Sequence, residues 1–170
     1  MRKYAIDMQL PDGKRPGYYA QLVKALAGRP LYDRDKETLI AADPAGAASL
    51  KELLDEYRLD YDELELLELP EQAVTTPAFQ DYGFESRSGR RYLLAHLIVL
   101  FRFELPNADH ASRQAALLQM DEHLIARFET SAGTVYAADA SLLDLMRGIA
   151  RAYGCAIEPA SAEDIAPLLP

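Results

Sequence analysis

Residues 91–105, RYLLAHLIVLFRFEL, contain the most apolar run of the chain and constrain its fold more than any other stretch. Their Val, Ile and Phe content, together with the Gly-containing loop SRSGR before them, favours a strand over a buried helix. Alternate residues of a strand point to opposite faces of a sheet, so the face from Leu93 to Phe103 is apolar throughout. The opposite face, from Tyr92 to Glu104, is apolar in its middle and polar at its end. The segment therefore predicts a long central strand with most of both faces covered.

The remaining sequence alternates between strand and helix patterns, and capping residues mark several boundaries. In chain order the predicted elements are a strand over 3–10, a helix over 18–28, a strand over 38–42, a helix opened by Asp43 and Pro44, a hairpin of 79–85 with 91–105, a helix over about 108–129 capped by Asn107, a strand over 134–138, a helix ending at Tyr153 and a strand over 155–158. For the last segment, SAEDIAPLLP, a short helix and a free tail both remain open.

These elements predict the α+β class, as a two-layer sandwich in which helices pack on one mixed β-sheet built from β-α-β units plus a β-hairpin. A length of 170 residues predicts a single domain over 1–170. Residues 38–69 find an echo in 134–158: TLIAAD and TVYAAD each precede a helix with a similar apolar pattern. Two interpretations stay open, a duplication and two similar structural units whose period and capping chemistry create the same pattern.

Charge and composition exclude several classes of partner. The net charge of −9, from 18 basic and 27 acidic residues, repels phosphate backbones, so we expect no nucleic-acid partner. The apolar run 92–101 has half the length of a membrane helix, so we expect no membrane partner. The single cysteine, Cys155, permits no intramolecular disulfide, and MRKYAIDMQL lacks the pattern of a secretory signal. Together these features predict a cytoplasmic protein.

The common catalytic and cofactor motifs are missing from the sequence. No glycines are spaced as G-x-G, no G-x-x-x-x-G-K-[ST] loop is present, and no serine occupies G-x-S-x-G. His110 and His123 project about 140° apart around the predicted helix, so they cannot share a metal ion. We therefore predict no metal and no cofactor.

Asp121 is the residue that fits its predicted surroundings least. In the helix predicted over 108–129 it projects into an apolar stripe, and His110 projects onto the same face. A buried carboxylate needs a partner, for which Arg102, His96 and Arg113 are candidates. One interpretation is a structural ion pair. The other is a general acid, base or pocket anchor with a raised pKa, in which Asp121, His96 and His110 are the catalytic candidates of a small-molecule-binding domain or enzyme.

The densest charge lies in residues 54–71, LDEYRLDYDELELLELPE, which hold eight acids and one base and so supply −7 of the net charge. As a strand from Asp62, the segment changes its apolar face between Leu66 and Leu67. A β-bulge at that point would give one core face and turn Glu63, Glu65 and Glu68 outward. We therefore predict that the leucines are buried and that the acids are displayed.

The displayed acids predict a surface for protein recognition, although a surface that serves only solubility remains the alternative. Clustered acids attract a basic partner, and neighbouring apolar side chains supply desolvated contact. The partner-binding candidates are Asp55, Glu56, Tyr57, Asp60, Tyr61, Asp62, Glu63, Glu65 and Glu68, with Leu59 and Glu71 beside them. This layout is compatible with small acidic bacterial inhibitor or immunity proteins, and we predict a cytoplasmic binding module that engages a basic protein surface.

Overall fold

The computed structural model describes residues 1–11, 16–104 and 109–162, and the contacts among them divide the chain into two compact units. The N-terminal unit comprises Arg2–Glu68 with Glu85–Arg90, and the C-terminal unit comprises Met1, Leu69–Phe84 and Arg91–Pro170. Each unit combines helices with an antiparallel sheet, so the predicted α+β class is confirmed. The single domain over 1–170 stays a prediction.

The N-terminal unit is built on a β-α-β-β-α-β sequence of elements. They are β1 (Arg2–Gln9), α1 (Pro16–Leu26), β2 (Asp33–Asp35), β3 (Thr38–Ala41), α2 (Pro44–Glu56) and β4 (Asp60–Glu68). Its strands lie in the order β2-β3-β1-β4. The predicted start of α2 is confirmed, because the Asp43 carboxylate accepts a hydrogen bond from the backbone N–H of Gly46 and Pro44 follows as the first helical residue.

The core of this unit lies between its sheet and its helices. Ile6 and Met8 of β1 pack with Leu22 of α1 and with Leu50 and Leu54 of α2. The two leucines of α2 are four residues apart, which places them on one face of that helix. Periodic apolar spacing therefore decides which helix faces are buried here, as expected from the sequence.

The C-terminal unit contains the remaining elements. They are β5 (Val74–Thr75), α3 (Phe79–Tyr82), β6 (Gly83–Glu85, whose last residue belongs to the N-terminal unit), β7 (Arg91–Leu94), β8 (Ile98–Phe103), α4 (His110–Met120), β9 (Leu124–Thr130), β10 (Gly133–Asp139), α5 (Leu143–Ala152) and β11 (Ile157–Pro159). Its five-stranded sheet has the order β11-β8-β10-β9-β5. Phe101 and Phe103 of β8 pack with Met120 of α4 and Met146 of α5 in its core.

The two units share one topology. In the C-terminal unit the series β8-α4-β9-β10-α5-β11 repeats the element order of the N-terminal unit, and the strand order β9-β10-β8-β11 matches β2-β3-β1-β4. This arrangement is the split β-α-β, or ferredoxin-like, topology. The similar segments 38–69 and 134–158 contain the last strand, helix and strand of each series, β3-α2-β4 and β10-α5-β11, and duplication and two similar structural units both stay predictions. The helix patterns agree less closely, since Leu53 is buried whereas its counterpart Leu145 is 44% exposed.

The sequence predicted one mixed sheet, and this prediction is wrong. All of the strand pairings within the two units are antiparallel, and they form separate ladders around β1 and β8. The physical reason is the split topology: β1 and β2 run in the same direction but β3 lies between them. The strands joined by each crossover helix are therefore never hydrogen-bonded neighbours.

The long strand predicted over 91–105 is two strands. β7 ends at Leu94 and β8 begins at Ile98, and the backbone N–H of Leu97 donates to the carbonyl of Leu94 across the turn between them (3.0 Å). The hairpin with the preceding segment is present, because β6 and β7 are adjacent strands. Only residues 83–85 of the predicted 79–85 strand take part, since α3 occupies Phe79–Tyr82.

The helix predicted over 108–129 is also wrong. α4 ends at Met120, a 3-10 turn occupies Asp121–His123, and β9 follows directly. The chain changes from helix to strand where side-chain burial alternates, with Arg127 and Glu129 exposed and Phe128 and Thr130 buried. Asp109, rather than Asn107, caps α4 by accepting a hydrogen bond from the N–H of Ser112. Asn107 lies outside the described residues, as does most of the C-terminal segment SAEDIAPLLP.

A hydrogen-bonded carboxylate at the end of β10 predicts a pH effect on stability. Hydrogen bonds from the Ser141 side chain, the Tyr82 hydroxyl and the Ser141 backbone N–H lower the pKa of Asp139 below its usual value of 3.8. Because the folded pKa is the lower one, the stabilisation is complete above the unfolded pKa and is lost as the pH falls through the folded pKa. We expect Asp139→Asn to be less stable than the wild type at about pH 6 and nearly equal to it at about pH 2, as measured by urea unfolding. An unchanged gap between the two proteins would contradict this assignment.

Candidate functional site

The acidic stretch 54–71 runs from the last turns of α2 into β4. Arg58 adopts a positive φ of 52° between the two elements, and Leu59 is buried beside it. Leu59 therefore belongs to the core, not to a contact surface, whereas Tyr57 and Tyr61 are half-buried. Tyr61 lies in β4, where its hydroxyl contacts Asp55 at 3.3 Å.

β4 contains no bulge. Its pairing with β1 is continuous from Leu67 opposite Arg2 to Asp60 opposite Gln9. Leu66 and Leu67 are both buried although they point to opposite faces, so the change of apolar face needs no extra residue. The predicted bulge rested on the assumption that only one face of this strand is covered.

The expected acidic ridge is divided between the two sides of the sheet. Glu63 and Glu65 pair with Ile6 and Tyr4 and share their helix-covered side, whereas Asp62 pairs with Asp7 on the other side. The acids of 54–71 that are exposed on the helix-covered side form what we call the acidic face: Asp55, Glu56, Glu63 and Glu65. Asp60 and Asp62 are exposed but outside this face, and Glu71 is exposed in the C-terminal unit.

Basic side chains from distant parts of the sequence partly neutralise the acidic face. Lys51 binds Glu63 at 3.1 Å, Arg2 approaches Glu65 at 3.8 Å, and Arg29 approaches Glu56 at 3.7 Å. The carboxylates remain more than half exposed in all three pairs. Exposed pairs of this kind contribute little to stability, so the acids remain available to a partner.

Glu68 does not point outward as expected. Its side chain is 15% exposed, and its carboxylate lies 3.4 Å from the ammonium of Lys3, which is 3% exposed. The Tyr32 hydroxyl donates to the same carboxylate at 2.9 Å, and the Lys3 ammonium lies 3.8 Å from the centroid of the Tyr32 ring. Arg90 completes the group at 3.4 Å from Glu68. This residue is therefore part of a buried ion-pair network and is no partner-binding candidate.

A second carboxylate extends the same network. Asp33 is buried and accepts hydrogen bonds from Ser86 (2.7 Å) and Ser88 (2.9 Å), while Arg90 lies 4.0 Å away. Asp33 follows Tyr32 in the chain, and Arg90 lies within 4.0 Å of both Asp33 and Glu68, so the two carboxylates belong to one network. All of these groups belong to the N-terminal unit. Each charge of the network has a partner of opposite sign or a hydroxyl donor, so removal of one member leaves the others incompletely satisfied in a buried place.

The catalytic interpretation of Asp121 loses its structural basis. Asp121 lies in the 3-10 turn after α4, where its side chain is exposed, so it is not part of a helical apolar stripe. His96 is exposed in the turn between β7 and β8. His110 is the first residue of α4. The three candidates thus lie on three different elements, and the structure does not place them together in one site.

A cavity of about 330 Å³ lies in the C-terminal unit and includes His110 in its wall. Polar side chains of α4, β8 and the β9–β10 hairpin line it together with apolar ones. The polar lining residues are Arg102, His110, Arg113, Gln114, Glu129, Thr134 and Tyr136.

The charges in this cavity are unevenly satisfied. The Nε of Arg102 donates to Glu158 at 2.6 Å, and the Thr134 hydroxyl donates to Glu129 at 2.8 Å. The Nε of Arg113 is buried and has no hydrogen-bond partner within the described part of the chain. Burial raises the pKa of Tyr136, so this residue is a neutral hydroxyl at physiological pH. Sequence reasoning considered Arg102 and Arg113 only as partners of Asp121, and it did not identify the cavity.

Comparison with protein-family models, curated proteins and solved structures found no match to this chain. The described residues contain no group of three or more His, Cys, Asp or Glu side chains arranged to hold a metal ion. Among them, no helix is both long and apolar enough to cross a membrane.

Proposed function

We propose that the chain is a small cytoplasmic protein-binding module, a regulator or an inhibitor or immunity-like protein, whose acidic face engages a basic surface of another protein. The observation that carries this proposal is the clustering of exposed carboxylates at the end of α2 and along β4. Clustered acids raise the rate at which a basic partner is encountered and favour one orientation of approach.

The three basic residues beside the acidic face fit this function. Lys51, Arg2 and Arg29 hold individual carboxylates in place without burying them. A basic partner can exchange these weak internal pairs for contacts of its own, since exposed pairs are worth about 0–1 kcal/mol. Tyr57 and Tyr61 are the half-buried aromatic side chains that would supply desolvated contact beside the charges.

Charge reversal on the acidic face should slow association with a basic partner. We expect the triple variant Asp55→Lys, Glu63→Lys, Glu65→Lys to associate about ten-fold or more slowly at low salt, with little change in fold because all three side chains are exposed. The wild-type affinity should also fall with salt, as the Debye length shrinks from about 30 Å at 0.01 M to about 8 Å at 0.15 M. Association is measured by surface plasmon resonance with a partner purified on the tagged protein.

A matched control separates the acidic face from net charge. The triple variant Asp81→Lys, Glu122→Lys, Asp144→Lys changes the net charge by the same amount at exposed positions of the C-terminal unit. The partner should bind this control and the wild type at similar rates. If both triple variants bind the same partner with the same association rate as the wild type, and salt does not change the affinity, the acidic face serves solubility only.

A second candidate function is small-molecule binding, and the cavity beside His110 favours it. The sequence predicted a pocket around Asp121, which is exposed and does not line the cavity. His96 does not line it either. The candidate therefore survives only with a different set of residues, in which His110 stands beside Arg102 and Arg113.

A further inference from the structure

We infer that the cavity in the C-terminal unit is a binding site for a small organic carboxylate. The cavity of about 330 Å³ is lined by both cationic and aromatic side chains. Binding of a small carboxylate there is a separate function from the proposed protein binding. At the share of liquid volume that one water occupies, this space equals about ten waters. It is therefore large enough for a small organic acid and at the lower end of ligand pockets.

Arg113 is the residue that points to an anion. Its Nε is buried without a hydrogen-bond partner among the described residues. A buried donor without an acceptor is costly, so the guanidinium of Arg113 is incompletely satisfied among the described residues, and the same side chain lines the cavity. The guanidinium fork of arginine matches a carboxylate in shape and charge, because both present two atoms in one plane.

The charge balance favours a singly charged ligand. Arg102 and Arg113 bring two positive charges to the lining, and Glu129 brings one negative charge. Arg102 is already tied to Glu158 through its Nε. The lining thus carries a net excess of one positive charge, which matches a singly charged carboxylate better than a phosphate dianion, because Glu129 repels a dianion about twice as strongly as a monoanion.

The aromatic floor accounts for the organic part of the ligand. Phe103 and Tyr136 pack edge to face with ring centroids 5.9 Å apart, and Leu117 lies in the same lining. Such a surface gains free energy by excluding water from an apolar ligand body. Tyr136 also brings a neutral hydroxyl to the lining that contains Arg113.

The test uses the full chain with three soluble probes. Benzoate represents the ligand class, benzamide is its neutral counterpart, and inorganic phosphate is an anion without an apolar body. We expect benzoate to bind with a Kd of about 1 mM or tighter, and the other two probes to bind at least about ten-fold more weakly. Backbone NMR shifts should locate benzoate at Gln114, Thr134 and Tyr136.

Variants at two arginines identify the anion contact. Arg113→Gln should weaken benzoate about ten-fold or more, and Arg113→Lys should weaken it less, because it keeps the charge but loses the fork. The control Arg147→Gln removes a charge from an exposed helix position outside the cavity and should leave binding unchanged. Circular dichroism checks that each variant is folded.

Three binding results would overturn the inference. They are equal binding of benzoate and benzamide, tighter binding of phosphate than of benzoate, and no benzoate binding up to about 20 mM. That concentration is about twenty times the expected Kd, so a site of the proposed affinity would be almost fully occupied. If Arg113→Gln does not fold, the NMR shift map and Arg113→Lys still decide the question. Shifts confined to residues outside the cavity would also contradict it.

Discussion

Replacing Glu68 by alanine should lower the free energy of unfolding by about 3 kcal/mol, because it leaves the Lys3 ammonium buried without its carboxylate partner. Lys3 is 3% exposed and lies over the ring of Tyr32, which keeps part of its stabilisation after the change. The matched control is Glu65→Ala in the same strand. Its side chain is 55% exposed and faces Arg2 at 3.8 Å, so its loss should cost less than about 1 kcal/mol. Urea unfolding followed by circular dichroism measures both values.

A double variant separates the ion pair from general packing. Lys3→Met with Glu68→Leu removes both charges and replaces them with apolar side chains of similar size. The double variant should be less damaging than the two single changes added together, since neither member of the Lys3–Glu68 pair is then left buried without the other. Additive losses, or a Glu68→Ala variant as stable as Glu65→Ala, would show that Lys3 reaches another partner or solvent.

Much of the N-terminal unit could be predicted because its boundaries carry local signals. Asp43 and Pro44 mark the start of α2, and the spacing of Leu50, Leu53 and Leu54 identifies the buried face. The strand Asp33–Asp35 was missed because three residues, two of them acidic, show neither alternation nor β-branched side chains. Short strands of this kind form because a neighbouring strand supplies hydrogen-bond partners.

The errors in the C-terminal unit come from boundaries that carry no such signal. The chain turns between Leu94 and Ile98 without glycine or proline, so 91–105 reads as one strand. It also leaves α4 at Asp121 without a breaker, and Leu124, Ile125 and Phe128 happen to continue the helical spacing. Ending α4 at Met120 and starting β9 at Leu124 completes a second β-α-β-β-α-β series. The similarity between 38–69 and 134–158 covers only the last strand, helix and strand of each series.

The candidate sites show the same limit. Exposure of Glu63 and Glu65 followed from strand alternation, but the burial of Glu68 depends on Lys3 and Tyr32, which lie far away in the sequence. The cavity depends on a helix, a strand and a hairpin that bring Arg102, Arg113 and Tyr136 together. No local sequence pattern indicates that these three residues come together. One partial signal was available, because Arg113 lies three residues after His110, which is helical spacing.

Replacing Gly83 by alanine should destabilise the protein by about 3 kcal/mol, because a Cβ at this position would overlap the carbonyl oxygen of Tyr92 and lie within 3.1 Å of the Leu93 Cα. Gly83 has an extended backbone, so the cost comes from this contact with the adjacent strand and not from its φ angle. Backbone atoms of a paired strand cannot give way as a flexible side chain can, which leaves separation of β6 from β7 as the way to relieve the overlap. Urea unfolding provides the measurement.

Gly148→Ala is the matched control with the opposite expected sign. Gly148 lies in the interior of α5, and a Cβ there would meet nothing within 4 Å. Alanine loses less backbone entropy than glycine in a helix, so this change should stabilise the protein by about 0.5–1 kcal/mol. The two substitutions add the same methyl group, and only the contact at Gly83 distinguishes them. Equal effects of the two changes on the free energy of unfolding would contradict this prediction. They would mean that β6 and β7 lie further apart at Gly83 than the structure shows.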